Sequence, residues 1–239
     1  MLSTQKSQLG VTLVELMIAS LIGLIAAAAL VTAYSATAHH SSQYLRRAQL
    51  HQQLYTLMHV MVSGIRRAGY WNFEPGLFQA SDNPFQNPAN RVRTGTFPGE
   101  AADSCILFAY DLNKDGLVGV GSCSAGGCTP GHSNANMERF GFRLRDGRVQ
   151  SRYGGRATSC YDGYWQAVTD PDTRVSRLAF SVVERCLNLE DPDAPCVADG
   201  PRLIRLMASI EMDAHSSAHP QTKLSLSGWV NVRNDRLER

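Results

Sequence analysis

Between residues 111 and 116 the chain reads Asp111-Leu112-Asn113-Lys114-Asp115-Gly116, with oxygen-bearing side chains two residues apart and a glycine at the turn. Oxygen ligands spaced in this way on a tight loop converge on a hard cation. They match positions 1, 3 and 5 of a calcium loop, with glycine at 6 and a backbone carbonyl, here that of Leu117, at 7. Position 12 of such a loop carries a bidentate glutamate, and Ser122 stands there instead. A distant acid such as Asp103 or Glu138 has to complete the shell. The competing reading is an Asx- and Gly-rich turn at the end of a strand. Calcium at this place would bind weakly and order the loop, not catalyse, and nothing in the sequence requires a cofactor.

A second cluster is basic. Net charge is only +2, so no global field points to nucleic acid, and of 23 basic residues only Lys6, Lys114 and Lys223 are lysine. Asp146-Gly147 is a two-residue hairpin signal. It sets Arg145 opposite Arg148, Arg143 opposite Gln150 and Gly141 opposite Arg152. Arg143, Arg145, Arg148 and Arg152 then share one outer face, and Phe140, Phe142, Leu144, Val149 and Tyr153 form the core side. Like charges placed opposite one another ask for a partner. The candidates are DNA phosphates, acidic residues of a neighbouring subunit, or solvent alone. Enzyme signatures are missing: there is no G-x-S-x-G, no P-loop and no H-E-x-x-H. His215 and His219 fall in a Ser/Ala/Pro setting that reads as a loop between strands. His39 and His40 are adjacent and point to different faces of a helix.

The third feature is Glu15, the one charge between Val11 and Ala38. As a helix, Val11–Tyr34 spans about 35 Å, enough for a bilayer core. The run follows Gly10 and so differs from a secretory signal, whose small-residue cleavage site lies after the apolar stretch. Cleavage at Gly10 leaves the anchor in the mature chain. A lone carboxylate in such a helix costs roughly 2.5–3.5 kcal/mol and is functional by default. A cut after Gly10 creates an amine on Val11, about 6 Å from Glu15 along the axis, and a neighbouring copy shifted by a turn brings its own amine onto that carboxylate. The alternative is that Glu15 lies at the interface and reaches water.

Positioning these groups takes a long helix and a sheet. From Leu50 to Ala68 apolar residues recur at Leu50, Leu54, Leu57, Met58, Met61, Ile65 and Ala68, the spacing of one helical face. One helix is expected over about 11–69, stopping near Gly69. Residues 72–100, rich in Pro, Asn and Gly, read as an irregular loop. Strands are expected at 104–110, 139–144, 148–153, 175–184, 202–213 and 223–234. The fold class is α+β, with the helix packed on an antiparallel sheet.

Gly10 followed by VTLVELMIA resembles the type IV pilin signature. The resemblance implies cleavage after Gly10 by a prepilin peptidase, methylation of Val11, and a role for Glu15 in subunit registration. Val11 stands where the family usually has phenylalanine. No proline interrupts the helix before Pro75, which favours a minor component over the bulk subunit. IRRAGYW, CILFAYD leading into DLNKDG, and WVNVRN resemble the PilW-type minor pilins, relatives of the J-type minor pseudopilin of type II secretion.

On that resemblance the chain divides into a leader (1–10), a membrane or filament-core helix (11–34), its amphipathic continuation (35–70) and a β-rich head (71–239). It implies a non-enzymatic minor pilin that helps to start pilus assembly and sits near the tip. The alternatives are a minor pseudopilin of a type II secretion system and a DNA- or surface-binding pilus component. The implied partners are other minor pilins, the major pilin, prepilin peptidase, the inner-membrane assembly machinery and a tip adhesin. The implied location is the inner membrane of a Gram-negative bacterium, with the head in the periplasm, and then the surface pilus. In that oxidising space Cys105, Cys123, Cys128, Cys160, Cys186 and Cys196 read as disulfides. Short separations favour Cys123–Cys128 and Cys186–Cys196, which leaves Cys105–Cys160. Zinc is the competing reading, and no C-x-x-C supports it.

Overall fold

The computed structural model describes residues 10–72, 83–114, 116, 118–119, 138–155, 158–197 and 200–238, together with the backbone of 122–124 and 127–129. One helix, α1 (Leu13–Arg66), opens it. The strands follow as β1 (Arg93–Gly95), β2 (Cys105–Ala109), β3 (Ser122–Ser124), β4 (Gly127–Thr129), β5 (Arg139–Arg145), β6 (Arg148–Gly154) and β7 (Tyr164–Ala167). Beyond them come β8 (Thr173–Asn188), β9 (Arg202–Ser216), β10 (Lys223–Asn231) and β11 (Arg236–Glu238). The chain forms two compact units, one ending at Ala48 and the other running from Gln49 to Arg239.

The first unit holds the apolar part of α1. From Val11 to Tyr34 every residue is exposed, with Leu13 and Leu24 at 76% and 73%. The helix is long and apolar enough to cross a membrane.

In the second unit the last turns of α1 supply one wall of the core. Leu50, Leu54, Leu57, Met58, Met61, Ile65 and Ala68 are all buried, as the i, i+3/i+4 spacing requires. Gly64 lets the helix approach closely, since a Cβ there would come within 3.2 Å of the Phe108 ring and 3.3 Å of the Phe142 ring. The helix ends at Arg66, and the turn after it closes at Gly69, whose φ of +74° suits glycine and whose N–H donates to the Ala109 carbonyl. The carbonyls of its last turn are taken up by the C-terminal segment. Arg233 N–H donates to Arg66, and the Asn234 amide donates to Arg67 and Ala68.

Among the described residues the strands make a five-stranded antiparallel sheet in the order β1-β2-β5-β6-β7 and a second sheet in which β9 is flanked by β8 on one side and by β10 and β11 on the other. β3 and β4 pair separately. The β5–β6 hairpin has the expected register, with Arg145 opposite Arg148 and Arg143 opposite Gln150, and both Asp146 and Gly147 have positive φ. Phe108, Phe142, Leu144 and Val149 from the first sheet meet Leu178, Phe180, Ile210 and Met212 from the second in one core with α1.

The α+β class is as the sequence implies. Three differences stand out. The stretch 72–100 contains a strand, β1. β3, β4, β7 and β11 lie where the sequence indicates no strand, and β8 and β9 run longer than their apolar patterns. β9 carries His215 inside the strand, opposite Lys223, not in a loop.

Candidate functional site

At the start of α1, Thr12 and Glu15 form a reciprocal cap. Glu15 N–H donates to Thr12 Oγ1 at 3.3 Å, and Glu15 Oε2 accepts from Thr12 N–H at 3.1 Å and from the Thr12 hydroxyl at 3.1 Å. This is the T-x-x-E capping box, which satisfies orphan amides of the first turn and puts a negative charge at the positive end of the helix. Gly10 and Val11 lie just outside the helix and are exposed. The carboxylate therefore has a structural partner in its own chain, next to the position where cleavage would create an amine.

The Asp111 loop leaves the end of β2. Asp111 is 2% exposed, and its Oδ2 accepts from Asn72 N–H at 3.0 Å and Gly116 N–H at 3.1 Å. Glu138, 1% exposed, accepts from Leu112 N–H through Oε1 and from Gly119 N–H through Oε2. Trp71 Nε1–H donates to the Gly116 carbonyl, and the Asn72 amide donates to the Lys114 carbonyl. The loop is thus tied to the segment that follows α1. Asp115 and Leu117 lie outside the described residues. Among the described residues no three His, Cys, Asp or Glu side chains converge.

The arginine face needs correction. Arg143, Arg145, Arg148 and Arg152 do stem from one side of the hairpin, but that side is roofed. Arg143 is 3% and Arg152 2% exposed, while Arg145 is exposed and Arg148 half-buried. Strand β7 brings Trp165 across the sheet, and the Cys105–Cys160 disulfide draws its lead-in segment down beside Leu107. The Arg143 guanidinium lies 4.3 Å from the Trp165 ring centre and 4.5 Å from that of Phe97. It donates to the Cys160 carbonyl at 2.5 Å and to Gln150 Oε1 at 2.8 Å. Arg152 donates to the carbonyls of Gly154 and Gly155. Burial, and secondarily the neighbouring arginines, pull both guanidinium pKa values down to about 10. Tyr153, expected in the core, is 53% exposed because the register of β6 shifts between Arg152 and Gly154.

Cys105 pairs with Cys160 and Cys186 with Cys196, each with Cα atoms 6.2 Å apart, as the separations suggested. Cys123 and Cys128 are direct backbone partners across β3 and β4, and their side chains lie outside the described residues.

Two family profiles match the chain. One, described as the prokaryotic N-terminal methylation motif, covers residues 5–31. The other, described as prepilin peptidase-dependent protein B, covers residues 43–232, well over half of the chain. The chain belongs to the prepilin peptidase-dependent protein B family. No curated protein matches it, and no solved structure does.

For this member of the family, Gly10, Val11 and Glu15 fall inside the methylation-motif match, whereas the Asp111 loop and the arginine hairpin fall inside the longer one. Sequence reasoning missed Thr12, although T-x-x-E before an apolar run is a readable signal. It also missed Phe97 and Trp165, which only the packing of β7 brings over Arg143.

Proposed function

We propose that the protein is a non-enzymatic minor pilin of the PilW type that helps to initiate a type IV pilus and sits near its tip. Prepilin peptidase removes residues 1–10, and Val11 becomes the methylated terminus. Residues 11–34 hold the subunit in the inner membrane of a Gram-negative bacterium and later pack in the filament core. Residues 35–70 carry the helix into a periplasmic head, 71–239, which meets other minor pilins, the major pilin, the assembly machinery and a tip adhesin.

The observation that carries this reading is the methylation-motif match over residues 5–31 together with the apolar first part of α1, exposed up to Tyr34, whose first turn holds Glu15 as its one acid. Such a surface is stable only in lipid or against other apolar helices. In the free subunit Glu15 is held by Thr12. In a filament the amine of a neighbouring Val11 replaces that partner and fixes the register.

The test is the mass of the N-terminal peptide in membranes and in sheared surface filaments. A methylated Val11 terminus in the filaments is expected, together with loss of the subunit from them, but not from membranes, on Glu15→Val. The same terminus found in membranes alone points to a secretion pseudopilus. An intact Met1 overturns the reading.

A further inference from the structure

Asp111 is a buried carboxylate with only one oxygen accounted for. Oδ2 takes two backbone amides, from Asn72 and from Gly116 across the turn. Oδ1, held beside the same turn, is buried and has no hydrogen-bond partner. A buried, unpaired carboxylate oxygen is costly, and native proteins leave few of them. A second buried carboxylate, Glu138, is fastened to the same loop through the amides of Leu112 and Gly119, so two acids are drawn out of water around one short turn. The Glu138 oxygens are taken by these amides, so the unpaired Asp111 Oδ1 is the group that calls for a cation.

The backbone turns tightly beside Oδ1. Lys114 and Gly116 have φ of +64° and +77°, folding the loop back so that Gly116 N–H reaches the Asp111 side chain. A Cβ at Gly116 would stand 3.3 Å from both the Asn72 carbonyl and Trp71 Nε1, so glycine is needed for the fit as well as for its φ.

We propose that this loop binds calcium, with Asp111 Oδ1 as its anchoring ligand. Asn113 lies two residues further on, and backbone carbonyls and water complete the oxygen shell. The described donors are oxygens from a carboxylate, an amide and the backbone, the mixture calcium accepts; zinc prefers nitrogen and sulfur, and magnesium demands a stricter octahedron. The ion fastens the exit of α1, through Trp71 and Asn72, to the start of β5, through Glu138. The site goes beyond the pilin assignment and does not depend on it.

Trp71 gives the site its own reporter, since its indole donates to the Gly116 carbonyl at 3.0 Å. The full chain, purified in detergent and stripped with chelator, is titrated with terbium under excitation of tryptophan. Saturable terbium emission is expected, displaced by calcium and not by equal magnesium. About 10 mM calcium, roughly 10–100 times the dissociation constant of extracellular calcium modules, is expected to raise the melting temperature by several degrees. Asp111→Asn weakens calcium binding by about tenfold or more, and Asn113→Asp, which adds a charge, tightens it. Trp71→Phe dims the emission and leaves calcium binding by calorimetry in place. Absence of both terbium emission and a calcium-dependent melting shift in the unaltered chain overturns the proposal. So does an Asn113→Asp chain that binds no tighter, which decides the matter even if Asp111→Asn fails to fold.

Discussion

Arg143 shows how far a residue's environment depends on what lies over it. Its guanidinium is sandwiched between Phe97 and Trp165, and its donors are spent on Cys160 and Gln150. Aromatic faces attract a cation, and the planar fork satisfies two separate acceptors at once. Burial disfavours the charge, which is why its pKa falls to about 10, but the hydrogen bonds keep the group in place. Arg143→Met should destabilise the protein by about 1–3 kcal/mol, because the buried Cys160 carbonyl loses its donor. Arg143→Lys should recover little of this, since an ammonium cannot span both acceptors. Urea denaturation of the three proteins measures both effects. For a polyanion the face therefore offers Arg145 and Arg148, not four arginines.

At the scale of elements, α1 has two characters along one uninterrupted helix. Up to Tyr34 its side chains are apolar on all sides, whereas from Leu50 onward they alternate between a core stripe and a polar face. Among the described residues, the second part is buried against its own chain and the part up to Tyr34 is exposed. Met61 is fully buried among the core residues, and His59, two positions earlier, faces solvent. Met61→Ala should cost about 2–5 kcal/mol through lost burial and a residual cavity. His59→Ala should stay within about 0.5 kcal/mol. Thermal unfolding of the two variants makes the comparison on a single helix.

For the whole molecule the disulfides act on different scales. Cys105–Cys160 closes a separation of 55 residues and joins β2 to the segment leading into β7, whereas Cys186–Cys196 closes 10 residues and joins the end of β8 to the segment after it. In the chain-entropy view, loss of the first costs about 4 kcal/mol and of the second about 3 kcal/mol. Replacing both cysteines of each pair by serine should therefore lower the urea midpoint more for Cys105/Cys160. The Cys105–Cys160 variant should also loosen Trp165 and expose Arg143, which a fluorescence change from that tryptophan would report. The Cys186–Cys196 variant leaves that cover intact.

The sequence by itself determined the features that depend on local pattern. Helical spacing marked six buried positions of α1, from Leu50 to Ile65, and Ala68 just past its end, and Asp146-Gly147 fixed the hairpin and its register. Cysteine separations indicated the two described pairings, and the stretch around Gly10 and Glu15 carried the methylation motif. Each of these is set by residues close in the chain, where backbone geometry leaves few choices. Tertiary structure decided what covers what. β7, at four residues, is too short to announce itself, yet its Trp165 turns an expected outer arginine face into a second small core. The partners of Asp111, the clamp from Glu138, and the capping of α1 by Asn234 join residues far apart in the chain. Local pattern gives which way a side chain points from its strand, but burial is settled by whatever distant segment packs on that side.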